Sequence, residues 1–557
     1  MSNPAIPITA VSNSGDRSSA GFISHARLIS GLTLLSRVLG MLRETVVANY
    51  FGAGVVSAAF TVAFKIPNLF RKLLGEGAIS AAFIPLYAQA LKAGDLDEAN
   101  RFAAASVNLL TAILLGLTVL GEAGLWAAAH FIHFRSQDLL VVRFTAIMLP
   151  YVLLVCLTGF LGGILQVHKR FALPTLTPVL LNVIHIAVIV IGARVLMLSS
   201  AAGAEQIALQ TRLAYWLAGF VLVAGVLQIV MLLPALRAVG FAFGSVAAIW
   251  TPRVKKMLVL SFPVALSAGV LQISVIVDTG ITVFLTRGQN PHEQLHIFGY
   301  TLAYPLALGA VPRLNWAQFL YQFPLGVFAT ALATAIFPGL SGDAFDSDRE
   351  KFNRVLRQGI IFTLFESIPA SAGLVLVRYP AIRLLFQHGS FTAADTRWVA
   401  LSTVFYASAI WAFSLQQVLN RAYYALHDTM TPFVLSIVTI TLNTIVEVPL
   451  CFTRLGEAGM AVGTLVSFGV QAVVMLWILD RKTGGLGLPA IRASAVTMLA
   501  ACGFMVAACL IVQHAPIFPH SSGHWASVEQ LAILLPVGAA AYASACWIMG
   551  VRIRNAE

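Results

Sequence analysis

Charged residues are scarce in this sequence. Only 10% of the 557 residues are Asp, Glu, Lys or Arg, whereas 59% are hydrophobic and the mean hydropathy is +0.85. This balance excludes an ordinary soluble globular protein, in which about a quarter of the residues are charged. Apolar runs of the length that crosses about 30 Å of hydrocarbon as a helix recur along the chain, without the alternating pattern of a membrane β-barrel. The composition predicts an all-α polytopic membrane protein.

Other features are missing as well. The chain has five cysteines and no CxxC pair, so neither a disulfide framework nor a zinc knuckle is indicated. No Walker A sequence is present, which leaves ATP hydrolysis unsupported and favours a protein that is not an enzyme. Residues 1–24 lack the apolar core of a signal peptide and are predicted to form a disordered cytoplasmic tail. The net charge of +12 comes from basic residues between apolar runs, which indicates cytoplasmic loops rather than nucleic-acid binding.

The apolar runs define fourteen predicted transmembrane spans. An even number places both termini on one side of the membrane, and the loops richer in Lys and Arg place that side in the cytoplasm. The predicted spans begin near residues 27, 57, 102, 139, 172, 209, 256, 301, 356, 396, 430, 458, 490 and 527.

The two halves of the chain resemble each other. AAFIPL, with Pro85, matches TAIFPGL, with Pro338, and TLTP, ending at Pro178, matches TMTP, ending at Pro432. The offsets are 253 and 254 residues, which cover six spans and predict repeats of the same orientation. We expect two pseudo-symmetric six-helix lobes followed by two C-terminal helices. The predicted boundaries are 25–240 for the first lobe, 250–482 for the second and 488–551 for the last helix pair.

Charge is concentrated in the first two spans. An Arg at the bilayer centre costs about 2.5 to 3.5 kcal/mol on insertion scales, so interior charge favours a wet cavity or a partner. Arg37 and Glu44 lie on one helical face, where we expect them to pair. The surplus of cations predicts an anion site, and the planar fork of Arg suits phosphate. The candidate substrate-binding residues are Arg37, Arg43, Glu44, Lys65 and Arg71.

Two further residues are predicted to support this site. Pro67 lacks a backbone N–H and is expected to break or bend the second span beside Arg71. Glu76 follows in the same segment. The alternative is structural: charged side chains snorkel to the interface or pair with each other. That reading suits Lys72 and Glu76, which lie towards a helix end, whereas we favour substrate binding for the arginines.

The sequence resembles the MurJ (MviN) family of lipid II flippases, within the multidrug/oligosaccharidyl-lipid/polysaccharide exporter superfamily. The resemblance implies a protein of the bacterial inner membrane that moves the undecaprenyl-pyrophosphate-linked peptidoglycan precursor to the periplasmic face. It implies that Arg37, Arg43 and Arg71 bind this substrate and that the last two helices form a groove for its lipid tail. We expect a monomer whose partners are lipid II and membrane lipids. The segments that carry the resemblance are SRVLGMLRE, FGAG, AFKIPNLFRKLLGEGAISAAFIPL and LLFQHGSFTAADT.

Three positions depart from the family pattern. Ala58 stands where many relatives have an acidic residue, and Phe319 and Gln322 stand where an Arg and a Glu are common. Arg313 lies six residues before Phe319 and is a candidate substitute from another helical turn.

A second set of polar residues predicts a cation site. Asn443 and Glu447 are four residues apart on one helical face, Asp278 lies in another apolar run, and Thr464 lies on the following helix. Oxygen ligands inside a membrane suit Na⁺ or a proton, and some members of the MurJ family have a sodium site between the corresponding helices. The alternative is a set of unrelated polar residues that form hydrogen bonds within the bundle. No other cofactor is predicted.

Two further motifs in the sequence are typical of metal sites. HEQLH at 292–296 matches the HExxH zinc motif, which requires a helix, but a loop and helix start are favoured over a metalloprotease. DAFDSDRE at 343–350 lacks the Gly of an EF-hand and is predicted to be a cytoplasmic loop. An exporter of another lipid-linked oligosaccharide or of a cationic drug is the second candidate function. The interior arginines disfavour the export of a cationic drug, because they would repel its positive charge.

Overall fold

The structure, a computed structural model, describes residues 15–75, 77–244, 249–288, 290, 292–297, 299–336 and 349–550. It is almost entirely helical, which confirms the predicted fold class. A two-stranded antiparallel hairpin, β1 (Gln294–Ile297) and β2 (Tyr300–Ala303), lies between the ninth and tenth helices. The helices are α1 (Gly15–Phe51), α2 (Val55–Phe70), α3 (Ala78–Lys92), α4 (Leu96–Phe131), α5 (Ser136–Met148), α6 (Tyr151–Val167), α7 (Ala172–Val195), α8 (Gly203–Ala238), α9 (Pro252–Leu285), α10 (Ala310–Ile336), α11 (Arg349–Leu385), α12 (Ala393–Ser408), α13 (Ile410–Ala425), α14 (Met430–Cys451), α15 (Ala458–Thr483), α16 (Leu488–Gln513) and α17 (His524–Ile548).

The helices are compatible with fourteen spans. Among the described residues, nine helical segments are long and apolar enough to cross a bilayer, and the pair α5–α6, bent by 45°, adds a tenth. One other span, α2–α3, is interrupted by a π-helical turn, and α12–α13, which has a break at Ala409, is already among the nine. The remaining segments, α1, α9 and α10, also lie where spans were predicted.

Two predicted boundaries are wrong. Helix α1 begins at Gly15, so residues 15–24 of the predicted disordered tail are helical, and no proline between Pro7 and Phe51 interrupts the helix. The eighth span does not begin near residue 301, because residues 300–303 form β2 and the helix begins at Ala310. Gly299, with φ of +85°, lies between the strands and allows the chain to reverse before that helix.

Short polar residues start several helices. Asp95 accepts a hydrogen bond from the backbone N–H of Glu98 at 2.7 Å, and Thr251 accepts one from Val254 at 3.2 Å. Thr392 and Asp395 form a capping box at the start of α12, within the segment that carried the family resemblance. These caps satisfy N–H groups that a helix leaves without partners, and so fix where each helix begins.

Apolar side chains form several separate clusters. The first lies between Phe51 and Met257, and the second lies between Phe352 and Cys546 and includes the inner faces of the last two helices. A third cluster joins Ala48, near the end of α1, to residues of the second half. The five cysteines are buried and unpaired in disulfides, as expected for small core residues.

The end of α1 also contacts the second half of the chain through hydrogen bonds. The backbone N–H of Ser390 donates to the carbonyl of Asn49 at 2.8 Å, and the Ser390 hydroxyl donates to the carbonyl of Tyr50 at 3.3 Å. Gly52 and Gly389 have positive φ angles, and a side chain at either would collide with the facing backbone. This junction, on the hairpin side of the bundle, holds the two halves of the chain together.

A buried ion network ties three helices together on the same side. The Arg313 guanidinium donates to both carboxylate oxygens of Glu457, at 2.7 to 3.0 Å, and to Asp395 at 3.2 Å. Arg313 is only 5% exposed. The prediction that Arg313 substitutes for a charge at Phe319 is therefore wrong, because its donors already hold two carboxylates and the carbonyl of Leu308.

We predict that Arg313→Ala lowers the melting temperature strongly, because it leaves two carboxylates buried without their cation, at a cost of about 3 to 5 kcal/mol. The matched control is Arg354→Ala, which removes an exposed ion pair with Glu350 and should change the melting temperature little. Thermal unfolding of both purified variants in detergent measures the difference. Equal melting temperatures would contradict a structural role for the network.

Candidate substrate and cation sites

Arg43 is held by the next residue of its own helix and by two neighbouring helices. It donates to Glu44 at 2.6 Å and to the Asn182 side chain of α7 at 3.2 Å, and its guanidinium lies 5.7 Å from the centre of the Phe64 ring in α2. Glu44 is 8% exposed. The predicted pair between Arg37 and Glu44 is wrong: residues seven apart are separated by two helical turns, about 10 Å along the axis, whereas Arg43 reaches the carboxylate directly.

Arg37 lies against α10. A side chain at Gly326 would occupy the place of its guanidinium group, so the glycine creates the space for the charge. Phe319, one of the departures from the family pattern, lies on the same helix close to Gly40 of α1. An apolar ring therefore packs where a charged residue is common, and Arg37 enters the same helix interface nearby.

Arg71 opens the π-helical turn Arg71–Gly75 that interrupts the second span four residues after Pro67. The predicted break beside Arg71 is therefore present. A Cβ at Gly75 would lie 3.0 Å from the Cα of Cys156, so a glycine is needed for this turn to contact α6. The turn therefore holds Arg71 between the second span and α6.

The predicted cation residues come together on three helices. Asn443 donates from its amide nitrogen to Asp278 at 3.0 Å and to Glu447 at 2.8 Å. Thr464 lines the same cavity as Asp278 and Glu447. Its hydroxyl donates to the carbonyl of Met460 at 3.1 Å, so the oxygen lone pairs remain available as a ligand.

Two residues at this site were missed from the sequence. Ser467 donates to the side-chain oxygen of Asn443 at 3.3 Å, which orients the amide nitrogen towards the two carboxylates. Gly463 lets α15 approach α14, since a Cβ there would lie 2.7 Å from the Cβ of Glu447. Spacing could have suggested both, because Gly463 and Ser467 are four residues apart and flank Thr464 on one helix.

The cavity fits a cation. Glu447 is fully buried, and its Oε1 has no hydrogen-bond partner among the described residues. The cavity has a volume of about 50 Å³, whereas one water molecule needs about 10 to 15 Å³. A buried carboxylate oxygen facing such a space lacks the donor or cation that normally satisfies it. Asp278, Glu447 and Thr464 supply the hard oxygens that Na⁺ prefers, whereas Asn443, predicted as a fourth ligand, turns its amide nitrogen towards the carboxylates and holds them in place.

Lys65 joins the basic residues to this acidic cavity. Its ammonium group donates to the Thr279 hydroxyl of α9 at 3.1 Å, next to Asp278. The cavity is lined by Lys65, Val275, Asp278, Thr279, Thr282, Val311, Leu314, Gln318, Tyr406, Glu447, Met460 and Thr464. Arg37, Arg43 and Arg71 are outside the described lining of this cavity, so Lys65 is the predicted substrate residue that the structure places there.

Other predicted features fall elsewhere. The HEQLH motif is not on a helix, because His296 lies in β1, where it contacts the Thr301 hydroxyl at 3.1 Å. The predicted helix start there is wrong, and no cluster of three or more metal-ligating His, Cys, Asp or Glu side chains occurs in the described part of the chain. Glu76, Pro338 and the acidic run 343–348 lie outside the described residues.

The apolar helices and the charges held between them define a multi-pass membrane transporter. A family model described as "Lipid II flippase MurJ" matches residues 47–522. The chain belongs to the MurJ family, which confirms the resemblance seen in the sequence.

Relatives and solved structures agree with this assignment. The chain is 33% identical over 471 residues to "Lipid II flippase MurJ" of Burkholderia cenocepacia, covering 82% of this chain and 83% of the relative. It is 31% identical over 519 residues to "Probable lipid II flippase MurJ" of Rhizobium meliloti, covering 92% and 90%. A solved structure, "Lipid II flippase MurJ, inward closed conformation", superposes with a TM-score of 0.70 at 22% identity, covering 94% of this chain and all of that one. An inward-facing MATE transporter of the MOP superfamily shares the fold, with a TM-score of 0.62 at 15% identity, covering 83% of this chain and 98% of that one.

The contacts of Arg43 and Arg37 lead to opposite expectations for folding. We predict that Arg43→Ala lowers the yield of folded protein, because Glu44 is left buried without its cation, and that adding Glu44→Gln restores the yield. Arg37→Ala should fold like the parent, because no described carboxylate depends on Arg37. Size-exclusion chromatography of the solubilised variants measures the folded fraction. Normal folding of Arg43→Ala beside poor folding of Arg37→Ala would overturn this assignment.

Proposed function

We propose that the protein is a lipid II flippase, which moves the undecaprenyl-pyrophosphate-linked peptidoglycan precursor across the bacterial inner membrane. The observation that carries the proposal is the placement of Arg37, Arg43 and Arg71 at helix interfaces inside the bundle of a MurJ-family chain. Each charge lies inside the membrane, where its burial costs free energy. A pyrophosphate has enough oxygen atoms to accept paired hydrogen bonds from several guanidinium groups at once. The interior arginines oppose a cationic drug as substrate.

Alternating access is the mechanism that suits this arrangement. The two repeats, 25–240 and 250–482, act as lobes that rock about the interior site, and the junction at Asn49 and Ser390 closes one side. We propose that this closed side is periplasmic and that both termini are cytoplasmic, because the loops richer in Lys and Arg lie on the opposite side. The helix pair 488–551 would accommodate the lipid tail, with the protein working as a monomer.

A cation bound by Asp278, Glu447 and Thr464, with Asn443 holding the two carboxylates, is proposed to couple to transport. Sodium is the favoured ion, since the free Glu447 Oε1 and the room beside it suit an oxygen-coordinated ion. A proton is the alternative. When bound, the cation supplies the positive charge that two carboxylates inside a membrane need, and the residues of α9, α14 and α15 hold it between three helices.

Lipid II binding tests the substrate proposal. Arg37→Ala should weaken binding tenfold or more, because it removes charge-assisted hydrogen bonds worth about 1.5 to 3 kcal/mol each. Arg37→Lys should recover only part of the affinity, since it keeps the charge but loses the planar guanidinium group that donates two parallel hydrogen bonds. Binding is measured on purified protein at matched concentration, with Arg354→Ala as the control on an exposed arginine. Parental affinity in Arg37→Ala would remove Arg37 from the substrate site.

Sodium binding tests the cation proposal. Glu447→Gln keeps the shape of the side chain but removes its charge, so sodium should bind at least tenfold more weakly and stabilise the variant less against heating. Glu350→Gln, at an exposed position, is the control. A transport pH profile that shifts in Glu447→Gln, with no sodium dependence in the parent, would identify the proton instead. If Glu447→Gln and Asp278→Asn both keep the ion dependence of the parent protein, the proposed cation site is wrong.

A further inference from the structure

Lys65 is the one residue from the first half of the chain in the described lining of the acidic cavity. The other lining residues come from α9, α10, α12, α14 and α15. Lys65 extends from α2, and its ammonium group donates to Thr279, the residue after Asp278 on α9. A cation carried by the first lobe therefore enters a cavity that the second lobe builds.

An ammonium group and a sodium ion compete for the same surroundings. Lysine offers three donors and no acceptor, so its ammonium group is stabilised by oxygen atoms and by negative charge. Asp278 and Glu447 supply that charge, and a metal ion would use the same carboxylates. Two positive charges within one small cavity, beside the fully buried Glu447, repel each other. Binding of one must therefore weaken binding of the other, and the effect is reciprocal.

We propose that Lys65 is a tethered counter-cation of the cavity lined by Asp278 and Glu447, and that sodium displaces it. This inference rests on the cation site proposed above. Displacement breaks the hydrogen bond between α2 and α9, so sodium occupancy loosens a contact between the two lobes. The freed ammonium group becomes available to an anion in the interior. Lys65 thereby links the state of the cation site to the position of the first lobe and to the charge offered to the substrate.

Sodium affinity in the absence of lipid II tests this role directly. The full chain is placed in lipid nanodiscs, and ²²Na⁺ binding is compared between the parent and Lys65→Met. We expect Lys65→Met to bind sodium about tenfold more tightly, because the competing charge is gone. Lys65→Arg keeps a positive charge and should stay near the parental affinity. Lys72→Met, which removes an exposed charge from the same segment outside the described lining, should change the affinity less than twofold.

A distance measurement separates displacement from simple repulsion. Spin labels near the ends of α2 and α9 should move apart when sodium is added to the parent, and the distance in Lys65→Met should not respond to sodium. Sodium binding by the parent with unchanged affinity in Lys65→Met would overturn the inference and leave the cation site standing. A parent that binds lipid II but no sodium would remove both the cation site and this inference, while the flippase proposal would survive.

Discussion

Charge inside a low-dielectric bundle must be balanced, and this requirement governs the interior of the protein. The structure meets it in different ways. Arg313 is locked between Glu457 and Asp395, and Arg43 is held by Glu44 and Asn182. Among the described residues, Lys65 donates to a neutral hydroxyl beside Asp278, and Glu447 Oε1 has no partner. The charge of Arg313 is therefore fully balanced, and its role is structural. The cavity that holds Lys65 and Glu447 is incompletely balanced, which is the property expected of a site that changes occupancy.

The incomplete balance lies where the two lobes meet. On the hairpin side, backbone hydrogen bonds between Asn49 and Ser390 and close glycine contacts hold the lobes together. In the interior, a described hydrogen bond between one ammonium group and one hydroxyl joins α2 to α9. A weak, charge-dependent contact inside the bundle beside a firm junction at one end suits a protein whose lobes rock about an interior site. Ion occupancy and substrate charge then both act on α2, which carries Lys65.

Sequence patterns predicted most of the fold because each span can be recognised from its own apolar residues. They missed the hairpin at 294–303, since strands of four residues carry little periodic signal, and they misplaced the start of α1. For the sites, helical spacing identified Asn443 with Glu447 correctly. It assigned Glu44 to Arg37 rather than Arg43, because spacing specifies a helical face but not which long side chain reaches a partner. The role of Lys65 depends on contact with a helix more than 200 residues away, which no local pattern contains.

The central claim is that this chain moves lipid II across a membrane. The most direct measurement is the amount of lipid II exposed at the outer face of the inner membrane in a bacterium depleted of its own flippase and supplied with this chain. The account predicts that exposed lipid II returns to the level before depletion, and that growth returns with it. Lipid II that stays at the cytoplasmic face, with the chain folded and present in the inner membrane, would contradict the account.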